Sequence, residues 1–179
     1  METLAALAKR KSVRDYQNRG VEKEKLAAVI AAGRQAPKAG PVQFTVVREA
    51  ECLKRLNDAT LAAMKNSGNE FLVGRASLPG YQPLYGAPVL ILVSAPSGPY
   101  ARDAAAGAVV AMTIAATDLG LGSCYVVSPV LGLAGEPGLT ERLALPEGFA
   151  PLCGVLLGYP GGDRFSTPAA EAAENVNFV

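Results

Sequence analysis

The sequence contains no histidine. Without an imidazole, Ser-His-Asp and Cys-His catalysis are excluded, and so are the commonest transition-metal sites. The three cysteines, Cys52, Cys124 and Cys153, form no CxxC pair. Their odd number favours buried thiols in a reducing cytosol over a disulfide framework. If the protein is an enzyme, we therefore expect a bound cofactor to supply its difficult chemistry.

The net charge is small, and the apolar stretches are short. Seventeen basic and sixteen acidic residues give a net charge of +1, so no global field favours nucleic acid or an anionic membrane. The longest apolar run, residues 104–116, is shorter than the roughly 20 residues that span a bilayer. Glu2 argues against a signal peptide. We expect a soluble, cytoplasmic protein with no nucleic-acid or membrane partner.

Hydrophobic periodicity predicts an alternation of helices and strands. A short helix is expected after Met1, ending in the basic residues 9–11, and further helices near 22–36, 51–64, 102–119 and 139–143. Strands are expected at 43–48, 88–94, 123–127 and 153–158. The run Pro88–Ser94 is apolar almost throughout, which is typical of a strand buried on both faces at the centre of a sheet. Residues 66–86 lack periodicity and predict a long loop or lid with about one helical turn. This order predicts an α+β layer structure.

A basic motif, Arg10-Lys11-Ser12-Val13-Arg14, follows the first helix. In an extended chain side chains alternate, so Arg10, Ser12 and Arg14 would point the same way at intervals of about 7 Å. Two guanidinium groups and a hydroxyl suit a terminal phosphate, because planar arginine donors bind phosphate oxygens in pairs. In the alternative interpretation, the cations face water and complement the negative end of the helix dipole.

Two glycine-containing segments are further candidates for a ligand site. Residues 37–41 predict a rigid turn between a helix and a strand, followed by the amide of Gln43. Taken alone, the segment is better explained as a helix stop and a tight connection. Gly120-Leu121-Gly122 follows a helix and enters a strand, the reverse of a dinucleotide-binding loop, and a helix C-cap explains it. Any function there would lie at the end of the strand, residues 126–128, where backbone N–H groups are available.

These segments, in this order, resemble the nitroreductase-like family of flavoproteins. The family's R-R-S-x-R-like strand corresponds to residues 10–14, its A-P-S-x-G-N-x-Q motif to 36–43, its apolar strand to 87–94, its A-x-x-L-G-L-G-S-C motif to 116–124, and its G-Y-P turn to 158–160. The resemblance covers roughly residues 3–164. Lys38 and Pro41 replace the usual Ser and Asn, and Phe44-Thr45 stands where Pro-Trp is common, so the substrate is left open.

The resemblance implies a central, mainly antiparallel sheet flanked by helices and an intertwined homodimer with two FMN molecules at its interface. By this analogy the FMN phosphate is held by Arg10, Lys11, Ser12, Arg14 and Arg164. The residues reaching the flavin from the partner chain would be Pro37, Lys38, Ala39, Gly40 and Gln43. The residues at the flavin ring would be Val126, Val127 and Ser128, with a backbone N–H facing N5 and O4.

The activity that the resemblance implies is an FMN-dependent oxidoreductase. It would take hydride from NADH or NADPH and reduce a small planar acceptor, a nitroaromatic or a quinone, in a ping-pong cycle. No catalytic side chain is expected, because the flavin carries the chemistry. Two alternatives stay open: an FMN-binding dimer without NAD(P)H turnover, and an FMN enzyme of the same fold with another reaction, such as dehalogenation, flavin fragmentation or ring dehydrogenation.

The end of the FMN-binding domain is predicted near residue 165. Residues 1–165 would form this domain and residues 166–179 a C-terminal extension. Val176 and Phe178 make the extension more apolar than a solvated terminus, so we expect it to dock on the partner subunit. The alternative is a frayed end.

Overall fold

The elements of the fold are given by a computed structural model, which describes residues 2–165 and 176–178. Its helices are α1 (Thr3–Lys9), α2 (Lys23–Gln35), α3 (Ala50–Lys65), α4 (Glu70–Ala76), α5 (Ala101–Asp118), α6 (Pro129–Ala134) and α7 (Pro137–Arg142). Its strands are β1 (Gln43–Val47), β2 (Val89–Pro96), β3 (Gly122–Val126) and β4 (Phe149–Gly158). Most of the extension at 166–179 lies outside the described residues, so its docking stays a prediction.

The four strands form one antiparallel sheet in the order β1-β2-β4-β3. β2 lies between β1 and β4, and all of Val89–Ala95 is buried, which confirms the central strand predicted from its apolar run. β4 begins at Phe149, earlier than the predicted Cys153. Its first residues continue to pair with β2 beyond a bulge between Val93 and Ser94.

Helices cover both faces of the sheet, which confirms the α+β prediction. On one face, α5 buries Val109 and Met112 completely. α2 approaches α5 closely because Gly33 has no side chain: a Cβ there would lie 2.9 Å from Met112 Cγ. The other face is covered by α3, α6 and α7, with Leu133 and Leu139 buried in its core.

Two short helices differ from the sequence prediction. In the segment 66–86, α4 forms about two turns rather than one. Its N-terminus is stabilised by Asn69, whose side-chain Oδ1 accepts the Leu72 N–H at 3.1 Å. The helix α6 was not predicted at all, because its six residues begin with a proline and contain a glycine, too few for a periodic pattern. None of the helices described is long and apolar enough to cross a membrane.

Candidate functional site

The two ends of the sheet carry different groups of predicted site residues. Because neighbouring strands are antiparallel, the start of β3 lies beside the end of β4, where Gly122 pairs with Gly158. At the opposite end, β3 finishes at Val126 while β1 begins at Gln43, which pairs with Ser94. We call the end at Gly122 and Gly158 the basic edge, and the end at Gln43 and Val126 the far edge.

The N-terminal segment joins the sheet at the basic edge. Ser12 forms a parallel bridge with Ser123, and the Val13 N–H donates to the Ser123 carbonyl at 2.8 Å. Val13 is buried against Gly122, where a Cβ would come within 2.9 Å of Val13 Cγ2. Ser12 and Arg14, which alternate with Val13, are only half-buried. The extended conformation predicted for this part of the chain is therefore confirmed.

The chain that follows β4 returns to the same edge. The Gly161 N–H donates to the Asp15 carbonyl at 2.8 Å. Further along, Lys11 Nζ lies 3.1 Å from Asp163 Oδ1 in an exposed ion pair, a type of contact that contributes little stability. The backbone bond therefore does most to place the residues after β4 beside the basic motif.

Arg14 and Arg164 line one cavity of about 210 Å³ at the basic edge. Its other lining residues are Asp15, Tyr16, Gly80, Gln82, Tyr85, Gly86 and Phe165. Arginine keeps its charge at physiological pH, so two guanidinium groups outweigh the single carboxylate of Asp15. This small cationic space, which we call the arginine cavity, suits a phosphate group.

Both arginines contact Phe165. Arg14 Nη1 donates to the Phe165 carbonyl at 3.4 Å, and the Arg164 guanidinium carbon lies 5.1 Å from the centroid of the Phe165 ring. Arg164 also lies against Gly80, which has a φ of +65°. A Cβ at Gly80 would be 2.5 Å from Arg164 Nη2, so the missing side chain leaves room for the guanidinium.

Polar groups at the start of β3 add to the donors of the basic edge. The Ser123 hydroxyl is buried and has no hydrogen-bond partner among the described residues. Burial raises the pKa of the neighbouring Cys124 thiol, and Arg14 and Ser12 partly oppose this rise, which shows that both lie close to the thiol. Two guanidinium groups and nearby hydroxyls are a donor set that fits a phosphate.

Arg10 and Lys11 are exposed and do not line the arginine cavity. Five side chains are predicted to hold the phosphate. Arg14 and Arg164 line the cavity, Ser12 bridges to β3 at the same edge, and Arg10 and Lys11 lie at the surface. The reason is that Arg10 is still the C-cap of α1, so the alternation of an extended chain does not apply to it. Its position at the negative end of the α1 dipole fits the alternative interpretation of the motif.

The loop of residues 37–41 lies at the far edge, away from the arginine cavity. Ala39, Gly40 and Pro41 border a shallow cavity of about 180 Å³ together with residues 95–101, where β2 ends and α5 begins. Gly40 has a φ of +103°, a conformation that favours glycine. Within one chain, this loop and the basic motif therefore do not meet.

Lys38 closes the end of α2. Its Nζ donates to the Arg34 carbonyl at 2.5 Å and to the Ala36 carbonyl at 3.4 Å. A cation at the last carbonyls of a helix also complements the helix dipole. Within this chain, Lys38 therefore has a structural partner in α2.

The residues predicted at the flavin ring lie where β3 meets the far edge. Val126 is buried, Val127 is 51% exposed, and Ser128 is the N-cap of α6. In the described part of the chain β3 is the outer strand, so its edge beyond the Ser12 bridge leaves backbone groups available. Tyr125 is partly exposed on this strand, and its partial burial raises the pKa of its phenol to about 12.

Sequence reasoning did not predict Gly80, Tyr85 and Phe165 as part of the arginine cavity. Gly80 and Tyr85 belong to the stretch that lacks periodicity, and Phe165 follows the last strand. Tyr85 and Phe165 also adopt positive φ values of +52° and +57°, which only tertiary contacts can impose on such side chains. The sequence feature that indicated this part of the cavity was Arg164, which directly precedes Phe165 and was predicted to bind the phosphate.

The cysteines and carboxylates show no reactive cluster in the ranges 2–165 and 176–178. No group of three or more His, Cys, Asp or Glu side chains there is placed to hold a metal ion. Cys124 and Cys153 are buried as expected, whereas Cys52 is only half-buried, which corrects that expectation. Burial raises the pKa of all three thiols, so they stay protonated and weakly nucleophilic at neutral pH.

The molecule has cavities larger than the arginine cavity, and two of them exceed 500 Å³. One, of about 520 Å³, lies between β1, α3 and α7 and contains none of the predicted site residues. The other, of about 610 Å³, shares Gln82 and Gly86 with the arginine cavity. Size alone therefore does not single out the cavity with the most suitable chemistry.

Comparisons with known proteins agree in one family. The family model described as "Nitroreductase family" matches residues 7–159. A curated protein of Archaeoglobus fulgidus, named "Putative NADH dehydrogenase/NAD(P)H nitroreductase", is 29% identical over 171 residues, covering 91% of this chain and 88% of its own.

Solved structures show the same fold over the full length of the chain. A nitroreductase with bound FMN from Bacteroides fragilis superposes with a TM-score of 0.85 at 28% identity. Another with bound FMN, from Desulfitobacterium hafniense, superposes with a TM-score of 0.90 at 26% identity. In each case the match covers 100% of this chain and 99% of the other.

Proposed function

Because the chain belongs to the nitroreductase family, we propose that it binds FMN along β3 and acts as an NAD(P)H-dependent oxidoreductase on a small planar acceptor. The observation that carries the proposal is the meeting of Arg14 and Arg164 in one small cavity at the edge where Ser12 bridges to β3. The nitroreductases of Bacteroides fragilis and Desulfitobacterium hafniense bind FMN. The Archaeoglobus relative is named for NAD(P)H chemistry.

The arginine cavity is proposed to hold the phosphate of FMN. Arg14 and Arg164 would donate to the phosphate oxygens, and the Ser12 hydroxyl would add a further donor. Arg10 and Lys11, which the resemblance also assigns to the phosphate, lie at the surface of the same edge and would raise the local positive potential. A doubly charged group fits this place better than a neutral one.

The length of β3 suits the distance between the phosphate and the ring of FMN. From Ser123 at the basic edge to Val127 at the far edge, four residues rise about 13 Å at roughly 3.3 Å each. FMN joins its phosphate to its tricyclic ring through the ribityl chain, so one molecule lying along β3 would contact both ends. Val126, Val127 and Ser128 would then border the ring and offer backbone N–H donors to its polar edge.

In this proposal the protein positions the cofactor and contributes no reacting side chain. When bound, FMN supplies hydride transfer between the nicotinamide and the acceptor. The backbone N–H groups at residues 126–128 would favour the negative charge of the reduced ring, because preorganised donors in a partly dry site stabilise developing charge. The absence of histidine from the sequence is compatible with such chemistry.

A second copy of the chain is proposed to complete the site as a homodimer. Residues 37–40 and Gln43 lie at the far edge, and a partner would bring them to the ring from outside. Leu4 and Leu7 on α1 are 80% and 45% exposed, and Val110 on α5 is 47% exposed. Since α1 packs on α5, a second copy placed against these two helices would bury these side chains.

The C-terminal extension is proposed to strengthen this dimer. In the single chain Val176 and Phe178 are 70% and 91% exposed, so docking on a partner would bury both. Truncation after Thr167, or the double change of Val176 and Phe178 to serine, should raise the dissociation constant of the dimer measured by sedimentation. An unchanged constant in both variants would contradict the docking.

Anaerobic mixing of the FMN-loaded protein with NADPH or NADH tests the activity. We expect the visible flavin absorbance to bleach within a turnover and to return when a quinone or nitroaromatic is added. FMN that is bound but never bleached would instead support a binding dimer without turnover. Bleaching that neither acceptor class reverses would favour another reaction of the same fold, to be identified with a wider substrate panel.

A further inference from the structure

Three aromatic rings, two of which line the arginine cavity, pack together there, and the proposed function gives them no role. The ring centroids of Tyr81 and Tyr85 are 5.8 Å apart, those of Tyr81 and Phe165 are 5.7 Å apart, and those of Tyr85 and Phe165 are 6.2 Å apart. We call this group the aromatic clamp. It connects the end of the segment 66–86 to the chain that follows β4.

Phe165 connects the clamp to both arginines. Its carbonyl accepts a hydrogen bond from Arg14 Nη1 at 3.4 Å. The centroid of its ring lies 5.1 Å from the guanidinium carbon of Arg164. One residue thus contacts the two cations from different sides. Any displacement of Phe165 would change the spacing between the two guanidinium groups.

The clamp is tied in turn to α4 through Arg75. Arg75 Nη2 donates to the Tyr85 hydroxyl at 3.2 Å, and its guanidinium carbon lies 5.3 Å from the centroid of the Tyr81 ring. The hydroxyls of Tyr81 and Tyr85 are 3.4 Å apart. Tyr81 is buried, so Phe165 packs against a ring that is itself held on several sides.

The backbone at the clamp is held against its local preference. Tyr85 and Phe165 have φ values of +52° and +57°, a region that bulky side chains rarely adopt. Along the described chain, Ala144 is the remaining non-glycine residue with a positive φ. Tyr85 and Phe165, two of these three residues, line the arginine cavity. Positive φ values of this kind persist only where surrounding contacts impose them, and they are often found at ligand sites.

We infer that the aromatic clamp is a positioning device for phosphate recognition. Phe165 sets the spacing of Arg14 and Arg164, while Tyr81 and Tyr85 hold Phe165 in place. This inference rests on the proposed FMN site and adds residues to it that act through the two arginines rather than through the flavin ring. It predicts that damage to the clamp weakens the binding of FMN but not of riboflavin, which has the same ring and ribityl chain without the phosphate.

Fluorescence titration of the apoprotein with FMN and with riboflavin tests the inference. For Phe165→Ala we expect the Kd of FMN to rise about tenfold or more, the equivalent of one misplaced charge-assisted hydrogen bond, while the Kd of riboflavin stays unchanged. Phe165→Tyr keeps the ring and should bind FMN like the wild type. Phe71→Ala is the control, since Phe71 lies on α4 but is 74% exposed.

Each outcome decides between the positioning role and another explanation. Unchanged FMN binding by Phe165→Ala, or an equal loss of FMN and riboflavin affinity, would overturn the positioning role. If circular dichroism shows Phe165→Ala to be unfolded, Phe165→Leu keeps most of the volume and is judged by the same two constants. A wild-type protein that binds neither flavin would overturn the FMN site itself, so the two failures are distinguishable.

Discussion

Replacing Arg14 by alanine removes one of the two guanidinium groups of the arginine cavity. A hydrogen bond to a charged group contributes about 1.5–3 kcal/mol, so a paired contact with a phosphate would contribute about 3–6 kcal/mol. At 1.4 kcal/mol for each factor of ten, this corresponds to a Kd for FMN raised by roughly 100-fold to 10,000-fold. Arg14 is only half-buried and Arg164 remains, so we expect the lower end, about 100-fold.

The assay is a fluorescence titration of the apoprotein with FMN. Arg55→Ala is the matched control, because it removes the same charged group from an exposed ion pair with Glu136 on the surface of α3, outside the arginine cavity. Arg14→Lys keeps the charge but loses the planar fork and should fall between alanine and the wild type. A folded Arg14→Ala protein that binds FMN as tightly as the wild type would refute the reasoning.

Two further predictions concern the loop beside the cavity and the pH dependence of stability. Gly80→Ala should lower the free energy of unfolding by about 1–2 kcal/mol, measured by thermal unfolding. It should also weaken FMN binding, because the new Cβ would meet Arg164. Gly68 is the control: its φ is +70° but the space around it is open, so Gly68→Ala should lower stability without weakening FMN binding. The Tyr159 hydroxyl, which donates to Glu22 at 2.7 Å, lowers the pKa of that carboxyl from 4.5 to about 2. The stability contributed by this hydrogen bond is fully present above pH 4.5 and is lost as the pH falls through about 2. Between these pH values Tm should therefore fall more steeply in the wild type than in Glu22→Gln. Equal slopes of Tm against pH in the two proteins would contradict the prediction.

The parts of the fold that the sequence predicted are those with a clear repeating pattern. The apolar run that became β2 and the small, apolar residues of α5 need burial whatever surrounds them, so their places in the core followed from composition alone. The start of β4 was missed because Phe149 to Leu152 form a strand only by pairing with β2. The helix α6 was too short to show a period.

The sequence likewise predicted those site residues that lie in a segment with a regular pattern and not those that tertiary contacts bring to the site. Ser12 and Arg14 lie in an extended segment, where alternation holds, and Arg164 was placed beside them by family resemblance. Arg10 does not line the cavity in the single chain because it is still the C-cap of α1, and the end of a helix cannot be located to one residue from sequence. Tyr85 and Phe165 could not be predicted, since their backbone conformation is imposed by contacts between segments that are distant in the sequence.

The measurement that tests the central claim most directly is the visible absorbance of the purified protein after incubation with FMN and gel filtration. If Arg14 and Arg164 hold the phosphate of a flavin that lies along β3, the protein should elute yellow with one FMN for each chain, and Arg14→Ala should elute nearly colourless. A wild-type protein that elutes colourless after the same treatment would contradict the account.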